Sequence, residues 1–419
     1  MKTIETRPIR ESRVTVPGSK SYTHRTLIAA ALSEGICRVS NPLRSEDTRF
    51  TLDGLKQMGC PVTDTGSDIL LTGTGGRLSP VDSPLYLGNS GTSMRLLAGI
   101  AALGDTTYQL EGTPRMAERP IQELLDALCQ IGVAAASVSG NGCPPIRING
   151  RARTGGQVEI RCGISSQYLS ALMLIAPLIP GGLDIRVTEG PISRPYIDMT
   201  VDIQARFGIS LERDRYSRFV IPGAQVYRSG DYTVEIDASN AGYFWAAGAV
   251  TGKAVTVSGI TSASRQGDVG FARVLERMGC LRTEHTDGIT IKGGRLTGID
   301  VDMGDMPDSV PTLAVVAAHA DGQTRIRNVA HLRAKESDRL AVMAAELTKM
   351  GAAIRVTDDG LVIDGSPLNG AVIETCDDHR IAMSFAVAGL TTPGVRIVDE
   401  GCVAKSFPTF WEVFEGLYA

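Results

Sequence analysis

Six times along the chain, at intervals of about 70 residues, a short polar run opens a nearly all-apolar stretch of helical length. The first three openings read SKSYTHR (Ser19 to Arg25), NSGTSMR (Asn89 to Arg95) and SSQYLS (Ser165 to Ser170). The last three read DASNAGY (Asp237 to Tyr243), PDSVPTL (Pro307 to Leu313) and DDHRIAM (Asp377 to Met383). A helix that is apolar on every side is stable only when other elements surround it. Its first turn leaves unpaired N–H groups and a partial positive charge. Several such ends aimed at one place attract anions before any side chain contributes.

A second element keeps the same period. Amphipathic segments such as LLDALCQIG and AAELTKMG end in a glycine, at Gly59, Gly132, Gly208, Gly279 and Gly351, where a left-handed helix terminus is expected. FWEVFEGLYA, with Gly416, reads as a truncated sixth copy. In LLDALCQIG the residues Leu124, Leu125, Leu128 and Ile131 share one helical face, and Asp126 and Gln130 lie opposite. β-rich runs lie between the helices, among them IRING, LDIRV, AVTVSGI and GLVIDG. The pattern predicts a mixed α/β (α+β) chain of six repeated βαβαββ-type units, three per domain. The expected lobes are residues 1–18 with 229–419, and residues 19–228 inserted between them. Two crossings near residues 18 and 229 would then form a hinge.

Composition is that of a folded globule, with 43% hydrophobic and 21% charged residues. A net charge of −4 speaks against a general nucleic-acid surface, so any anion site is a local basic cluster. The eight cysteines form no C-x-x-C and no metal-ligand spacing with His, and are expected to be small buried hydrophobes in a reducing cytoplasm. No leader-like or membrane-spanning apolar run is present. P-loop, dinucleotide, zinc-protease and nucleophile-elbow motifs are absent, so neither a cofactor nor a metal is expected.

Basic residues crowd the openings and the loops beside them. Lys20 and Arg25 lie in the first and Arg119 in the loop MAERPI. Lys335 and Arg339 lie in KESDRL, Arg380 follows His379, and Lys405 lies in AKSFP. Arg offers forked donors to carboxylate or phosphate and Lys a point charge. Ser165, Ser166 and Gln167 supply more donors than a helix cap needs, and Asn89 and Gly91 form a similar opening in which the glycine lets a ligand approach the backbone. Two acids stand among these cations. Asp308 opens the fifth apolar helix, where a cap is the ordinary role, and Glu336 sits between Lys335 and Arg339, where surface pairing is the ordinary role. His331 and His379 both neighbour cations.

Together these motifs resemble the 5-enolpyruvylshikimate-3-phosphate synthase family of enolpyruvyl transferases. PGSKSYTHR, LGNSGTSMR, ERPI, SSQ, SRPYID, PD, AKESDRL, DHR and AKSFP occur in the family's order and spacing over essentially the whole chain. The resemblance implies a two-domain inside-out α/β barrel-like fold with its active site in the interdomain cleft. It implies a transferase of the shikimate pathway, leading to chorismate and aromatic amino acids. The enolpyruvyl group of phosphoenolpyruvate passes to the 5-hydroxyl of shikimate-3-phosphate and phosphate leaves, with no cofactor, as the chain closes on its substrates. It assigns shikimate-3-phosphate to Lys20, Ser21, Arg25, Ser165, Ser166 and Gln167 in the inserted lobe. It adds Ser193, Tyr196, Asp308, His331 and Lys335 to that set. It assigns phosphoenolpyruvate to Lys20, Asn89, Gly91, Arg119 and Gln167, and further to Arg339, His379, Arg380 and Lys405. Asp308 becomes the base toward the 5-hydroxyl, assisted by Lys335, with Lys20 beside them and Glu336 on the proton path to the methylene. A cytoplasmic monomer is expected.

Two positions depart from many relatives: His331 stands where Asn is common, and Leu96 where herbicide-sensitive members commonly carry Pro. The sister transferase acting on UDP-N-acetylglucosamine typically begins PGSKNA and carries Cys or Asp on the loop before its second amphipathic helix. GTPRMAERP has neither. A non-catalytic anion-binding repeat protein is the reading of a different class, and the acids at 308 and 336 weigh against it.

Overall fold

The computed structural model describes residues Met1–Ala419. Its helices alternate between two kinds. The first kind is α1 (Lys20–Leu32), α3 (Gly91–Ala101), α5 (Gln167–Ile175), α7 (Ala238–Thr251), α9 (Val310–Ala318) and α11 (His379–Gly389). Every residue of α3, α9 and α11 is buried. The second kind is α2 (Glu46–Gln57), α4 (Gln122–Gln130), α6 (Pro195–Arg206), α8 (Phe271–Arg277), α10 (Arg339–Lys349) and α12 (Phe410–Glu415). These bury one face; in α4 it carries Leu124, Leu125, Ala127 and Leu128. Each fully buried Leu or Val is worth roughly 1.5–3 kcal/mol, so the first kind is held in place chiefly by its surroundings.

Six sheets clothe these helices. In the second repeat Leu85–Tyr86 pairs in parallel with Tyr108–Glu111, which pairs antiparallel with Ile146–Asn149, which pairs antiparallel with Ala134–Ser137. The third and fifth repeats follow the same parallel–antiparallel–antiparallel order. Read along the chain this is strand, buried helix, strand, amphipathic helix, two strands: the expected βαβαββ unit. The sixth sheet has three strands, because Lys2–Thr3 from the start of the chain joins Arg396–Ile397 where the last repeat runs out.

The first and fourth repeats exchange a strand. Ser12–Val14 precedes α1 but pairs in parallel with Ala254–Ser258 after α7. Asp231–Thr233 precedes α7 but pairs in parallel with Glu34–Ser40 after α1. The chain accordingly divides into one unit of Met1–Pro17 with Glu235–Ala419 and an inserted unit of Gly18–Val234. The boundaries expected at 18 and 229 therefore move. Gly18 belongs to the inserted unit, and so do residues 229–234, because Asp231–Thr233 forms that unit's edge strand.

In the unit that holds both chain ends, α7, α9 and α11 pack on one another, and Thr312 of α9 meets Ser384 of α11 at 3.1 Å. In the inserted unit α3 packs on α1 and α5, while α6 lies against both α1 and α5. Glycine fixes two joints in these repeats. The five helix-ending glycines have φ between +79° and +107°, as their position requires, whereas Gly416 has φ −61° and ends α12 without the left-handed turn. A further glycine ends the returning strand and lies on the last carbonyls of the buried helix. A Cβ would stand 1.6 Å from Ala320 O at Gly365, 1.8 Å from Ala102 O at Gly150 and 2.2 Å from Ala249 O at Gly293. Of the cysteines, five are buried and Cys143 is half-buried, but Cys129 and Cys376 are exposed, which corrects the expectation of uniform burial. No helix is long and apolar enough to cross a membrane.

Gly365→Ala should lower stability by about 1–3 kcal/mol, the ordinary cost of forcing an extra carbon into a packed joint. Gly401→Ala, where the nearest atom lies 3.9 Å away, serves as the reference. Equal urea midpoints for the two variants would show that the joint is not tight.

Candidate functional site

The two units carry different chemistry at the starts of their buried helices. In the inserted unit, Ser19 and Ser90 cap α1 and α3. Lys20, the first residue of α1, donates Nζ to Asp47 Oδ2 at 3.2 Å. Gln167, the first residue of α5, donates Nε2 to Thr92 Oγ1 at 2.9 Å and accepts from Arg95 Nη1 at 3.2 Å, which ties α5 to α3. Arg119 Nη1 donates to Asn89 O at 2.9 Å and Asn89 Oδ1 at 3.0 Å.

Arg25 reaches from α1 to α5 and α6 and is 1% exposed. It donates to Thr200 Oγ1 at 2.8 Å, Ser21 O at 3.0 Å, Tyr196 O at 3.1 Å and Ser170 Oγ at 3.3 Å. Arg95, also buried, donates to Gln167 and to Pro120 O at 3.2 Å. All these acceptors are neutral. Burial pulls the Arg25 pKa down to about 10, the sign of a cation held with no carboxylate against it. Such a site gains when an anion arrives.

Ser165 Oγ accepts from Gln167 N at 3.3 Å, whereas Ser166 stands at the cap position of α5 with no side-chain cap bond. Ser193 holds φ +52°, a costly conformation for a residue with a side chain, just before α6. Tyr196 is placed there too, its carbonyl on Arg25 and its ring centroid 6.0 Å from the same guanidinium. At Gly91 a Cβ would meet Arg119 Nη2 at 2.4 Å and Arg95 Nη1 at 2.5 Å. Two guanidiniums thus reach the space this glycine leaves.

In the unit that holds both chain ends, the starts of α9, α10 and α11 share one ion network. Arg339 Nε donates to Asp378 Oδ2 at 2.8 Å, Nη1 to Asp308 Oδ1 at 3.0 Å and Nη2 to Glu336 Oε2 at 2.9 Å. Arg380 Nη2 donates to Asp308 Oδ2 at 2.5 Å, and its Nη1 to the Tyr243 hydroxyl of α7 at 3.1 Å. Burial works to lower the Arg339 pKa, but Asp378, Glu336 and Asp308 hold it above its usual value. Asp308 therefore does not cap α9; both its oxygens are taken by arginines. Glu336 is buried and paired within the network, so surface pairing is not its role.

His331 faces Lys335, Asp308 and Arg339. Burial first, and then the two cations, lower its pKa to about 3, so it is neutral at pH 7. His379 is fully buried, its Nδ1 3.8 Å from Asp378 Oδ1. Lys405 ends the 3₁₀ segment Glu400–Lys405 that packs on α11, and Ser406 O beside it accepts from Asn240 Nδ2 of α7 at 3.3 Å. Several of the residues singled out in the sequence lie at the starts of buried helices, among them Lys20, Gly91 and Gln167 in one unit and His379 and Arg380 in the other.

Four partners escaped the sequence reading: Asp47, Arg95, Asp378 and Asp268, whose Oδ1 accepts from Ser309 Oγ at 2.6 Å. Arg95 and Asp378 lie inside the motifs already quoted, and a cation or acid at a buried helix start was the signal. Asp47 and Asp268 sit on neighbouring elements and carry no such signal.

A family model described as EPSP synthase (3-phosphoshikimate 1-carboxyvinyltransferase) matches residues 6–414. The 3-phosphoshikimate 1-carboxyvinyltransferase of Syntrophobacter fumaroxidans is 44% identical, over 99% of this chain and 99% of its own. The chloroplastic 3-phosphoshikimate 1-carboxyvinyltransferase of Arabidopsis thaliana is also 44% identical, over 97% of this chain and 83% of its own. Among solved structures, EPSP synthase from Acinetobacter baumannii has a TM-score of 0.83 at 31% identity, covering 99% of this chain and 98% of that one. The enolpyruvyl transferase NikO from Streptomyces tendae has a TM-score of 0.77 at 20% identity and shares the fold.

His24 of α1 is fully buried, with Nδ1 2.7 Å from Thr51 Oγ1 of α2, which lies 2.8 Å from Ser93 Oγ of α3. Burial lowers its pKa to about 3, against the opposing pull of Asp47. Below its ordinary value near 6.5 the unfolded chain takes up a proton that the folded chain refuses, so stability falls as pH falls toward 3. His24→Asn should remove about 2 kcal/mol of the loss between roughly pH 6.5 and 5, by urea unfolding at each pH. An unchanged pH slope in the variant would contradict this.

Proposed function

This chain belongs to the EPSP synthase (3-phosphoshikimate 1-carboxyvinyltransferase) family, and from that footing we propose how its two clusters divide the reaction. The enzyme transfers the carboxyvinyl group of phosphoenolpyruvate to the 5-hydroxyl of shikimate-3-phosphate and releases phosphate. The substrates bring two phosphates and two carboxylates, whose mutual repulsion must be offset by cations. Arg25, with neutral acceptors on its donors, suits an anionic group of shikimate-3-phosphate, assisted by Ser21, Ser165, Ser166, Ser193 and Tyr196. Lys20, Arg119 and the Asn89–Gly91 opening suit phosphoenolpyruvate, with Gln167 serving both substrates.

The observation that carries the acid–base assignment is the pairing of Asp308 and Glu336 on one arginine, Arg339. The 5-oxygen attacks C2 of phosphoenolpyruvate as its proton passes to Asp308, with Lys335 and His331 beside it. C3 gains a proton by way of Glu336, giving a tetrahedral adduct of both substrates. Loss of a C3 proton and cleavage of the C2–O bond to phosphate then restore the vinyl group. Arg339 and Arg380, with His379 and Lys405, are assigned to the anionic groups of phosphoenolpyruvate. When those groups take up the arginine donors, Asp308 is released from its ion pairs and becomes the stronger base. Both clusters come from one chain, and a monomer is taken to be the active form.

Purified protein should release inorganic phosphate with shikimate-3-phosphate and phosphoenolpyruvate. Release only when UDP-N-acetylglucosamine replaces the shikimate would move the chain to the sister activity, and binding without turnover would make it an anion-binding protein. Asp308→Ala should lower kcat by roughly 10²–10⁴-fold, the usual share of a positioned acid–base group, while shikimate-3-phosphate still binds by calorimetry. Near-normal turnover would remove Asp308 from the chemistry.

A further inference from the structure

Asp268 is a charged side chain that the mechanism above does not use. It lies in the 3₁₀ turn Gly267–Gly270 and is 3% exposed. Its Oδ1 accepts from Ser309 Oγ at 2.6 Å, and Ser309, itself buried, directly follows Asp308. The same loop is fastened to the start of α7. Gln266 accepts from Ala238 N at 3.0 Å and donates to Ile236 O at 2.7 Å.

The charged groups that act on Asp268 are Asp308 from the turn before α9, Arg380 from α11 and Asp237 from the cap of α7. The adjoining α8 sends Phe271 and Ala272 inward, and its Arg273, Glu276 and Arg277 are exposed. Burial first, and then the neighbouring Asp308 charge, raise the Asp268 pKa to about 6.

Asp308 poses a problem that this carboxyl answers. Two arginines at 3.0 and 2.5 Å favour its ionised form and make it a poor proton acceptor. A second buried carboxylate nearby pushes the other way, because like charges raise one another's proton affinity.

We propose that Asp268 is a positioning residue for the base: through the Ser309 hydroxyl it fixes the turn that carries Asp308, and its negative charge keeps Asp308 basic between Arg339 and Arg380. The proposal rests on the reading of Asp308 as the base. It adds a role to the loop SRQGD (Ser264 to Asp268), which makes no assigned contact with either substrate.

The decisive variant is Asp268→Asn, which keeps an oxygen for Ser309 and removes only the charge. It should fold with an unchanged circular dichroism spectrum, and KM for both substrates should stay within about twofold. Its kcat should drop at least about tenfold, as expected when a general base is weakened. The wild-type pH–kcat profile should show an inflection near 6 as Asp268 takes up a proton, and Asp268→Asn should lose it. Asp268→Glu, which restores a charge, should recover part of kcat where Asp268→Asn does not. Ser309→Ala, which cuts the tether but leaves the charge, should lower kcat without removing the inflection. Asp308→Asn run in parallel separates the two readings. If it abolishes turnover while Asp268→Asn keeps wild-type kcat and pH profile, the proposal about Asp268 is overturned and the base survives. If Asp308→Asn is itself active, the base assignment fails first.

Discussion

A helix with no polar face has only its ends to offer to a ligand. Six such helices set the architecture of this chain, since each has to be enclosed by sheets and amphipathic helices and leaves its first turn as the place where charge gathers. The backbone at these turns favours anions. The side chains of Lys20, Arg25, Arg119, Arg339 and Arg380 then raise or balance that preference. Fold and site are consequences of one constraint, because the elements that bury the helices also fix where their starts lie within each unit.

The two units use that constraint differently. In Gly18–Val234 the buried guanidiniums of Arg25 and Arg95 rest on neutral oxygens, so the unit holds positive charge in reserve. In Met1–Pro17 with Glu235–Ala419 the arginines are matched by Asp308, Glu336 and Asp378, and acids and cations hold each other. The first arrangement suits recognition of an anion. The second suits proton transfer, since small changes in the partners of Asp308 alter its affinity for a proton. A transferase that joins two polyanions needs both.

Much of this is readable in the order of residues. The period of about 70, the apolar helices, the left-handed glycines at 59, 132, 208, 279 and 351 and the cations at the openings all follow from local chemistry. What was not readable depends on partners distant in the chain. The exchange of Ser12–Val14 with Asp231–Thr233 leaves no local trace, since each strand looks the same whichever helix it serves, and the boundary near 229 was misplaced for that reason. Asp47, in the first turn of α2, and Asp268, in a 3₁₀ turn, are ordinary acids until folding sets them beside Lys20 and Ser309.

The central claim is that the starts of buried helices in both units serve the same pair of substrates. Amide hydrogen exchange with and without shikimate-3-phosphate plus phosphoenolpyruvate tests it most directly. The account predicts slowed exchange together at the first turns of α1, α3 and α5 and of α9 and α11. Unchanged exchange at these turns, or slowing confined to one unit, would contradict it.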